Sequence, residues 1–110
     1  MAKLEENQIY NRVVRLTGDA AFQRLRQSHV AVFGLGGVGS WCVEALARTG
    51  IGHLTLIDAD VVAASNINRQ LPALQTTVGQ AKAEIMRHRI AEIDPDIEVE
   101  TRVMRYTAST

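Results

Sequence analysis

A short glycine-rich segment contains the residues best suited to bind phosphate. Gly34, Gly36, Gly37 and Gly39 follow an apolar run and precede a helical pattern. Gly34 allows a tight turn, Gly36 lets the backbone approach a phosphate group, and Gly39 lets the helix pack closely on the strand. Gly37 leaves an unshielded amide beside the start of the helix, where free N–H groups and the helix dipole favour anions. The segment therefore predicts a loop that binds a nucleotide or a dinucleotide, and other residues must decide between the two.

Two acidic residues follow the next predicted strand. Asp58 comes nineteen residues after Gly39 (58 − 39), at the end of that strand. An acid at this place typically holds the hydroxyl groups of a ribose, although it can instead cap a loop. Asp60 is equally well explained as an exposed loop acid and as a member of the site.

A polar loop and a lysine further along add groups that suit phosphate. The candidate binding residues of the loop are Ser65, Asn66, Asn68, Arg69 and Gln70. Arg69 has forked donors that match phosphate oxygens. Lys82 falls in the first turn of a predicted helix, where the dipole would prefer an acid, so a lysine there is mildly unfavourable unless it neutralises an anion.

The order of predicted elements indicates an α/β fold that positions these residues. Strands are predicted at Val30–Phe33, His53–Ile57 and Glu98–Met104, and helices at 5–16, 19–27, Val38–Thr49 and from Thr77 to about Ile93. Alternating strands and helices predict a parallel, Rossmann-like sheet over residues 29–110, preceded by a helical lead-in over residues 1–28. Because a doubly wound sheet normally has more strands, we interpret residues 1–110 as the N-terminal part of one longer nucleotide-binding domain.

The apolar pattern also predicts which residues are buried. The helix after the glycine loop carries an apolar stripe that we expect to face the sheet: Val38, Trp41, Cys42, Ala45 and Leu46. Trp41 and Cys42 are thus predicted to be core residues. The charged side chains of the lead-in, Arg26 among them, are predicted to form a solvated helical lid or a dimer surface.

Composition excludes several classes of function. The chain has 12 basic and 12 acidic residues, so its formal net charge gives no general attraction to nucleic acid or anionic lipid. Cys42 is the only cysteine, which excludes an internal disulfide or a cysteine-based zinc site and fits a reducing cytoplasm. No apolar run approaches the length of a membrane span, and the three histidines lack metal-ligand spacing, so we expect no metal ligands here.

Taken together, these motifs resemble the superfamily of ubiquitin-activating-like adenylyltransferases with the ThiF/MoeB/HesA fold. The resemblance covers nearly all 110 residues. It rests on the glycine loop and on these further segments, in this order: Tyr10-Asn11-Arg12, Gly50-Ile51-Gly52, Leu56-Ile57-Asp58-Ala59-Asp60, Ser65-Asn66-Ile67-Asn68-Arg69-Gln70 and Val78-Gly79-Gln80-Ala81-Lys82. The glycine loop alone is not specific, whereas the joint occurrence of all six segments is.

The resemblance implies ATP and Mg²⁺ as cofactors and assigns roles to individual residues. Gly37 would lie against the phosphates and Asp58 would bind the ribose. The triphosphate would be held by Asn66, Arg69 and Lys82, with Gln70 nearby. Arg12 matches the arginine that, in this superfamily, reaches the ATP of the partner subunit in a homodimer. The aspartate that binds magnesium would lie beyond Thr110.

Finer features of the sequence are similar to the threonylcarbamoyladenosine dehydratase branch of this superfamily. They are Gly37-Val38-Gly39-Ser40-Trp41, the segment from Glu44 to Gly52, and Asn66-Ile67-Asn68-Arg69-Gln70 followed by Leu71, Ala73 and Leu74. This similarity implies a cytoplasmic enzyme that adenylates the threonyl carboxylate of the modified adenosine in tRNA. Cyclisation would then expel AMP.

Three alternatives remain at the level of sequence. A sulfur-carrier adenylyltransferase would use the same ATP site on the C-terminal glycine of a small carrier protein. A nicotinamide-dependent oxidoreductase would also use the glycine pattern and Asp58, but it does not require Arg12, the polar loop or Lys82. The 110 residues could also be only a nucleotide-binding half, and we expect them to be inactive in isolation.

Overall fold

Three short parallel strands form the sheet that positions the polar residues. The computed structural model describes residues 3–108. Strands β1 (His29–Phe33), β2 (His53–Ile57) and β3 (Glu98–Arg102) lie side by side in the order β1-β2-β3. The register pairs His29 with His53 and His53 with Glu98, so the strands run in step. The predicted α/β fold with a parallel sheet is confirmed.

Four α-helices surround and precede this sheet. They are α1 (Glu6–Thr17), α2 (Asp19–Gln27), α3 (Gly39–Thr49) and α4 (Lys82–Ile93), and a single 3₁₀ turn covers Ala64–Asn66. The break between α1 and α2 falls at Gly18, whose φ of 82° suits glycine. No helix among the described residues is both long and apolar enough to pass through a lipid bilayer.

The core lies between one face of the sheet and helices α3 and α4. Leu54 and Leu56 of β2 are completely buried against Val43 of α3 and Met86 of α4. Burial of several such side chains, each contributing about 2 kcal/mol, holds the two helices on this face. Helix α3 leaves the core at Gly50, which has a φ of 108° and donates to the carbonyls of Leu46 and Ala47.

The opposite face of the sheet is open in the described part of the chain. His29 and Phe33 of β1 are exposed there, and the rings of His29 and His53 stack with centroids 3.6 Å apart. The Tyr106 ring packs edge-on against the Phe33 ring, with the two ring centroids 4.9 Å apart. Strand β1 pairs only with β2, so its other edge has no neighbouring strand among residues 3–108.

The prediction for the buried face of α3 is wrong for four of its five residues; the fifth, Leu46, is partly buried and packs against the core. Val38, Trp41, Cys42 and Ala45 are exposed, whereas Val43 is fully buried. The helix is apolar on two sides, and the sheet covers the side with the smaller and β-branched residues. A periodicity argument finds an apolar stripe but cannot decide between two of them.

Two element boundaries differ from their predictions by two residues or more, and the others that differ do so by a single residue. Helix α4 begins at Lys82 rather than Thr77, because the preceding residues form turns. The Thr77 hydroxyl donates to the Pro72 carbonyl at 2.7 Å and accepts from the Leu74 amide at 2.8 Å, which competes with helical hydrogen bonding. Strand β3 ends at Arg102, two residues before the predicted Met104.

Candidate nucleotide-binding site

The glycine loop is fastened to the carboxyl end of β2. Gly34 has a φ of 92° and donates its amide to the Ile57 carbonyl at 2.8 Å. Asp58 is buried and accepts two backbone hydrogen bonds of 2.7 Å, from Leu35 through Oδ2 and from Asp60 through Oδ1. One carboxylate therefore fixes both the glycine loop and the turn after β2, so Asp58 does cap loops, as one interpretation of the sequence predicted.

Close packing at Gly39 sets the position of α3 relative to the loop. A Cβ atom on Gly39 would lie 1.8 Å from the Gly34 carbonyl oxygen, so only glycine fits there. Gly36 and Gly37 have more room, since the nearest side-chain atoms to their Cβ positions are 3.8 Å away. The loop thus combines one glycine required by packing with two that keep backbone surface accessible.

The polar segment 65–70 lies directly beside this loop. The nearest side-chain atom to a Cβ on Gly36 would be Gln70 Nε2, and to one on Gly37 it would be Arg69 Cγ. Arg69 Nη1 donates to the Ser65 carbonyl at 3.0 Å and to Asn68 Oδ1 at 2.9 Å. These bonds orient the exposed guanidinium and leave its other donors available.

Two residues to which no role at the site was assigned from the sequence join the loop to this segment. The Ser40 hydroxyl donates to the Gly36 carbonyl at 2.5 Å and accepts from the Leu71 amide at 3.2 Å. The Trp41 indole N–H donates to the Arg69 carbonyl at 3.1 Å. The bonds from Ser40 to Leu71 and from Trp41 to Arg69 join residues some thirty positions apart, so no local pattern in the sequence could have predicted them.

The side-chain amides of this segment stabilise its conformation and retain some unused hydrogen-bonding capacity. Asn66 Oδ1 accepts from the Ala63 amide at 2.9 Å and so stabilises the 3₁₀ turn. Gln70 Oε1 is buried and has no hydrogen-bond partner among the described residues. An unpartnered buried amide oxygen is costly, and a ligand at the loop could compensate it.

Lys82 reaches the same region through a short backbone pairing. Val61 and Ala81 form an antiparallel bridge, and the Lys82 amide donates to the Asp60 carbonyl at 3.1 Å. The lysine is 6% exposed as a residue, and no ion pair or hydrogen bond of its ammonium group is formed with residues 3 to 108. Its positive charge is therefore available to an anionic ligand.

A cavity of about 230 Å³ lies where β1 and β2 end. It is lined by Gly34, Asp58, Asp60 and Tyr106, among others. Ligands of open α/β sheets bind outside the carboxyl ends of the strands, which is where this cavity lies. Within residues 3–108 no group of three or more His, Cys, Asp or Glu side chains is placed to hold a metal ion.

Arg12 is the one predicted site residue that lies apart from the others. It is exposed on α1, where Tyr10 is anchored to the far end of α3 by a hydrogen bond of 3.2 Å to the Ala47 carbonyl. Since the glycine loop precedes the first residue of α3, about 12 Å of helix separates it from Ala47. The structure brings together the loop, Asp58, Asp60, residues 65–70 and Lys82, but not Arg12.

A buried network holds the lead-in helices in place. Asp94 Oδ2 accepts from the Tyr10 hydroxyl at 2.7 Å and pairs with the Arg26 guanidinium at 3.1 Å. Burial, together with the bond to Asp94, raises the pKa of Tyr10 well above its ordinary value. Arg26 is therefore part of the packing between α2 and the end of α4, and the prediction that it is a solvated charge is wrong.

Comparison with known proteins identifies the family of this chain. Residues 10–110 match the ThiF family. The chain belongs to the ThiF family. This ThiF-family chain is 50% identical over 100 residues to the tRNA threonylcarbamoyladenosine dehydratase of Haemophilus influenzae, covering 90% of the chain and 38% of the relative.

Two further relatives show the range of the family. The Escherichia coli tRNA N6-threonylcarbamoyladenosine dehydratase, solved in complex with ATP, superimposes with a TM-score of 0.91 at 45% identity, covering 96% of this chain and 44% of that one. The molybdopterin-synthase adenylyltransferase of Salmonella typhimurium is 42% identical over 103 residues, covering 90% of this chain and 41% of the relative. The chain spans less than half the length of the relatives it matches.

Proposed function

We propose that this chain is the ATP-binding part of an enzyme that adenylates a carboxylate, namely the threonyl carboxylate of threonylcarbamoyladenosine in tRNA. The observation that carries the nucleotide assignment is Lys82, a cation without an ion-pair partner among residues 3–108, whose backbone bonds to the turn that Asp58 joins to the glycine loop. The identity of 50% to a tRNA threonylcarbamoyladenosine dehydratase supports the choice of acceptor. A tRNA substrate and a single free cysteine support a cytoplasmic location.

Different residues of the site would bind different parts of ATP. Free amides of the glycine loop at the start of α3 would bind phosphate oxygens. Arg69, Asn66 and Lys82 would surround the triphosphate with donors, with Gln70, Asn68 and Ser65 at its border. Asp58 would accept from the ribose with the lone pairs that its two backbone bonds leave free. Asp60 lines the same cavity and would face the nucleoside.

The proposed reaction depends on positioning and positive charge. The substrate carboxylate attacks the α-phosphate, forming an acyl-adenylate as pyrophosphate leaves with the electrons of the broken P–O bond. Lys82 and Arg69 would stabilise the charge that develops on the phosphates. Mg²⁺ would neutralise part of this charge, held by an aspartate beyond Thr110. Arg12 would complete the site from the partner subunit of a homodimer, since it lies away from the loop of its own chain.

The experiment that tests this function is AMP formation from ATP and magnesium by the complete protein in which this chain occurs. We expect AMP with tRNA that carries threonylcarbamoyladenosine, and none with unmodified tRNA. Equal AMP release with both RNAs would contradict the assigned acceptor.

A carrier-protein substrate is the second candidate, supported by the 42% identity to a molybdopterin-synthase adenylyltransferase. It would be favoured if the complete protein binds ATP and forms no AMP with either RNA. The same protein should then form AMP with a small carrier protein that ends in glycine. A nicotinamide-dependent reaction is less well supported, since NAD does not require Arg12, the polar segment 65–70 or Lys82. Binding of NAD, and not of ATP, to the complete protein would favour the nicotinamide-dependent reaction.

A further inference from the structure

The first turn of α3 holds the polar segment 65–70 beside the glycine loop. The Trp41 indole N–H donates to the Arg69 carbonyl at 3.1 Å. The neighbouring Ser40 hydroxyl accepts from the Leu71 amide, just after the segment, at 3.2 Å. Both donor and acceptor lie within the first three residues of α3, which begins at the end of the glycine loop. The turn of helix that follows the loop therefore also sets the position of the segment.

The bond from Trp41 is the only hydrogen bond that joins residues 65–70 to α3 or to the glycine loop within the described chain. The backbone amides of Arg69 and Gln70 both donate to the Asn66 carbonyl, so these bonds lie inside the segment. After the segment, Leu71 packs against the core. The chain is thus anchored beyond residue 70, and one indole N–H sets how close the end of the segment comes to α3.

The Arg69 guanidinium must move with this backbone, because its own partners also lie inside the segment. Its Nη1 donates to the Ser65 carbonyl at 3.0 Å and to Asn68 Oδ1 at 2.9 Å. Arg69 is exposed, and no carboxylate among residues 3–108 pairs with it. Its Cγ is the side-chain atom nearest to a Cβ on Gly37, at 3.8 Å. A shift of the Arg69 carbonyl would therefore displace the guanidinium relative to the phosphate loop.

Packing alone does not explain a tryptophan at position 41. Trp41 is 53% exposed and lies outside the core that α3 forms with the sheet. Tryptophan is a highly buried residue on average. The one polar atom of its ring is paired with a backbone carbonyl, whereas much of its apolar surface faces solvent. A phenylalanine would supply a similar ring face without this donor, so the N–H is the feature that distinguishes the residue.

We infer that Trp41 is a positioning residue of the nucleotide site, whose indole N–H holds Arg69 where its guanidinium meets the phosphates during adenylation. This inference rests on the proposed function, which supplies the contact between Arg69 and phosphate. Negative charge on the departing pyrophosphate grows as the P–O bond breaks. A donor that is slightly misplaced therefore lowers the rate of the reaction more than it lowers the affinity for ATP.

The test compares Trp41→Phe with the wild type in the complete protein. We expect kcat for AMP formation to fall about tenfold, because small displacements of a charged donor are costly in the transition state. The KM for ATP and the midpoint of thermal unfolding should stay close to their wild-type values. Cys42→Ala is the matched control: Cys42 is the next residue of α3, is exposed, and forms no hydrogen bond with residues 3–108. Its kcat should equal that of the wild type.

A double-mutant cycle with Arg69→Ala shows whether Trp41 acts through Arg69. Without the guanidinium there is nothing to position, so Trp41→Phe should change the rate less than about twofold in the Arg69→Ala background. Single-turnover measurements make the slow rates of the Arg69→Ala proteins accessible. An unchanged kcat in Trp41→Phe, or an equal loss in both backgrounds, would overturn the inference.

Failure of the proposed function would look different. A wild-type protein that binds no ATP, or forms no AMP with any acceptor, would refute the adenylation site and the role of Trp41 together. A wild-type protein that forms AMP as fast as its Trp41→Phe variant would refute only the role of Trp41.

Discussion

Lys82 is the residue on which the proposed ATP site depends most. It is 6% exposed, and its ammonium group has no ion-pair partner in residues 3–108. Its charge is therefore expected to serve the ligand rather than the fold.

We expect Lys82→Met to change the stability of the ligand-free protein by less than about 1 kcal/mol and to abolish ATP binding. The methionine fills a similar volume without a charge. Thermal unfolding with and without ATP gives both quantities, because a ligand stabilises only the state it binds. Lys3→Met is the matched control: Lys3 is the only other lysine, lies at the surface and pairs with Asp96 at 2.6 Å. A Lys82→Met protein that is still stabilised by ATP would argue against the site.

Gly37 and Gly39 are expected to respond differently to the same substitution. Gly39→Ala forces a Cβ to within 1.8 Å of a backbone oxygen, so we expect a loss of about 3 kcal/mol in the free energy of unfolding. Gly37→Ala meets only ordinary contacts at 3.8 Å, and we expect the fold to tolerate it while ATP binds at least tenfold more weakly. Denaturant unfolding and ATP titration of both variants check this, and equal losses of stability would contradict it.

At the scale of elements, a partly buried ion pair connects α3 to α4. Glu44 accepts hydrogen bonds of 2.7 and 2.9 Å from Arg89 and one of 2.8 Å from Arg48. The hydrogen bond from Arg89 lowers the pKa of Glu44 below its ordinary value of 4.5, against the opposing effect of burial, and Arg48 adds to the lowering. This pair fixes the relative position of the helices that begin at the glycine loop and at Lys82.

We expect Glu44→Gln to lower the free energy of unfolding by about 2 kcal/mol at neutral pH. Because the folded-state pKa is depressed, the contribution of Glu44 is complete above about pH 4.5 and is lost as the pH falls through the folded-state pKa. The difference between wild type and variant, measured by denaturant unfolding, should therefore narrow in acid. Glu84→Gln, at a more exposed ion pair with Arg87, should change stability by less than about 0.5 kcal/mol at any pH.

The elements also show what the sequence could and could not predict. The order of strands and helices was predictable because apolar runs, glycines and their spacing are local signals. The contact of Ser40 and Trp41 with residues 69–71 was not, since it joins distant segments. The sequence also could not show which face of α3 packs on the sheet, because both of its faces are apolar. The roles of the site residues in binding ATP stay predictions.

At the scale of the whole molecule, the position of Arg12 predicts that two subunits share each site. Mixed dimers of Arg12→Ala and Lys82→Ala subunits should contain one complete site, formed by Lys82 of one subunit and Arg12 of the other. Random exchange makes half of the dimers mixed, so we expect about a quarter of the wild-type rate of AMP formation from two variants that are each inactive.

The control for this complementation is the same mixture before subunit exchange, which should not recover activity. If Arg12 acted within its own chain, a mixed dimer would contain no complete site. Absence of recovery in subunits shown to exchange would therefore contradict the shared site.

The unpaired edge of β1 has a consequence for how these 110 residues behave in isolation. A strand with one free row of backbone N–H and C=O groups, and with Phe33 exposed beside it, is a template for pairing with other chains. Thermal unfolding of residues 1–110 alone should thus end in aggregates and depend on scan rate, so its apparent melting temperature would report a kinetic process. Free energies of unfolding for this fold therefore require conditions in which unfolding is reversible.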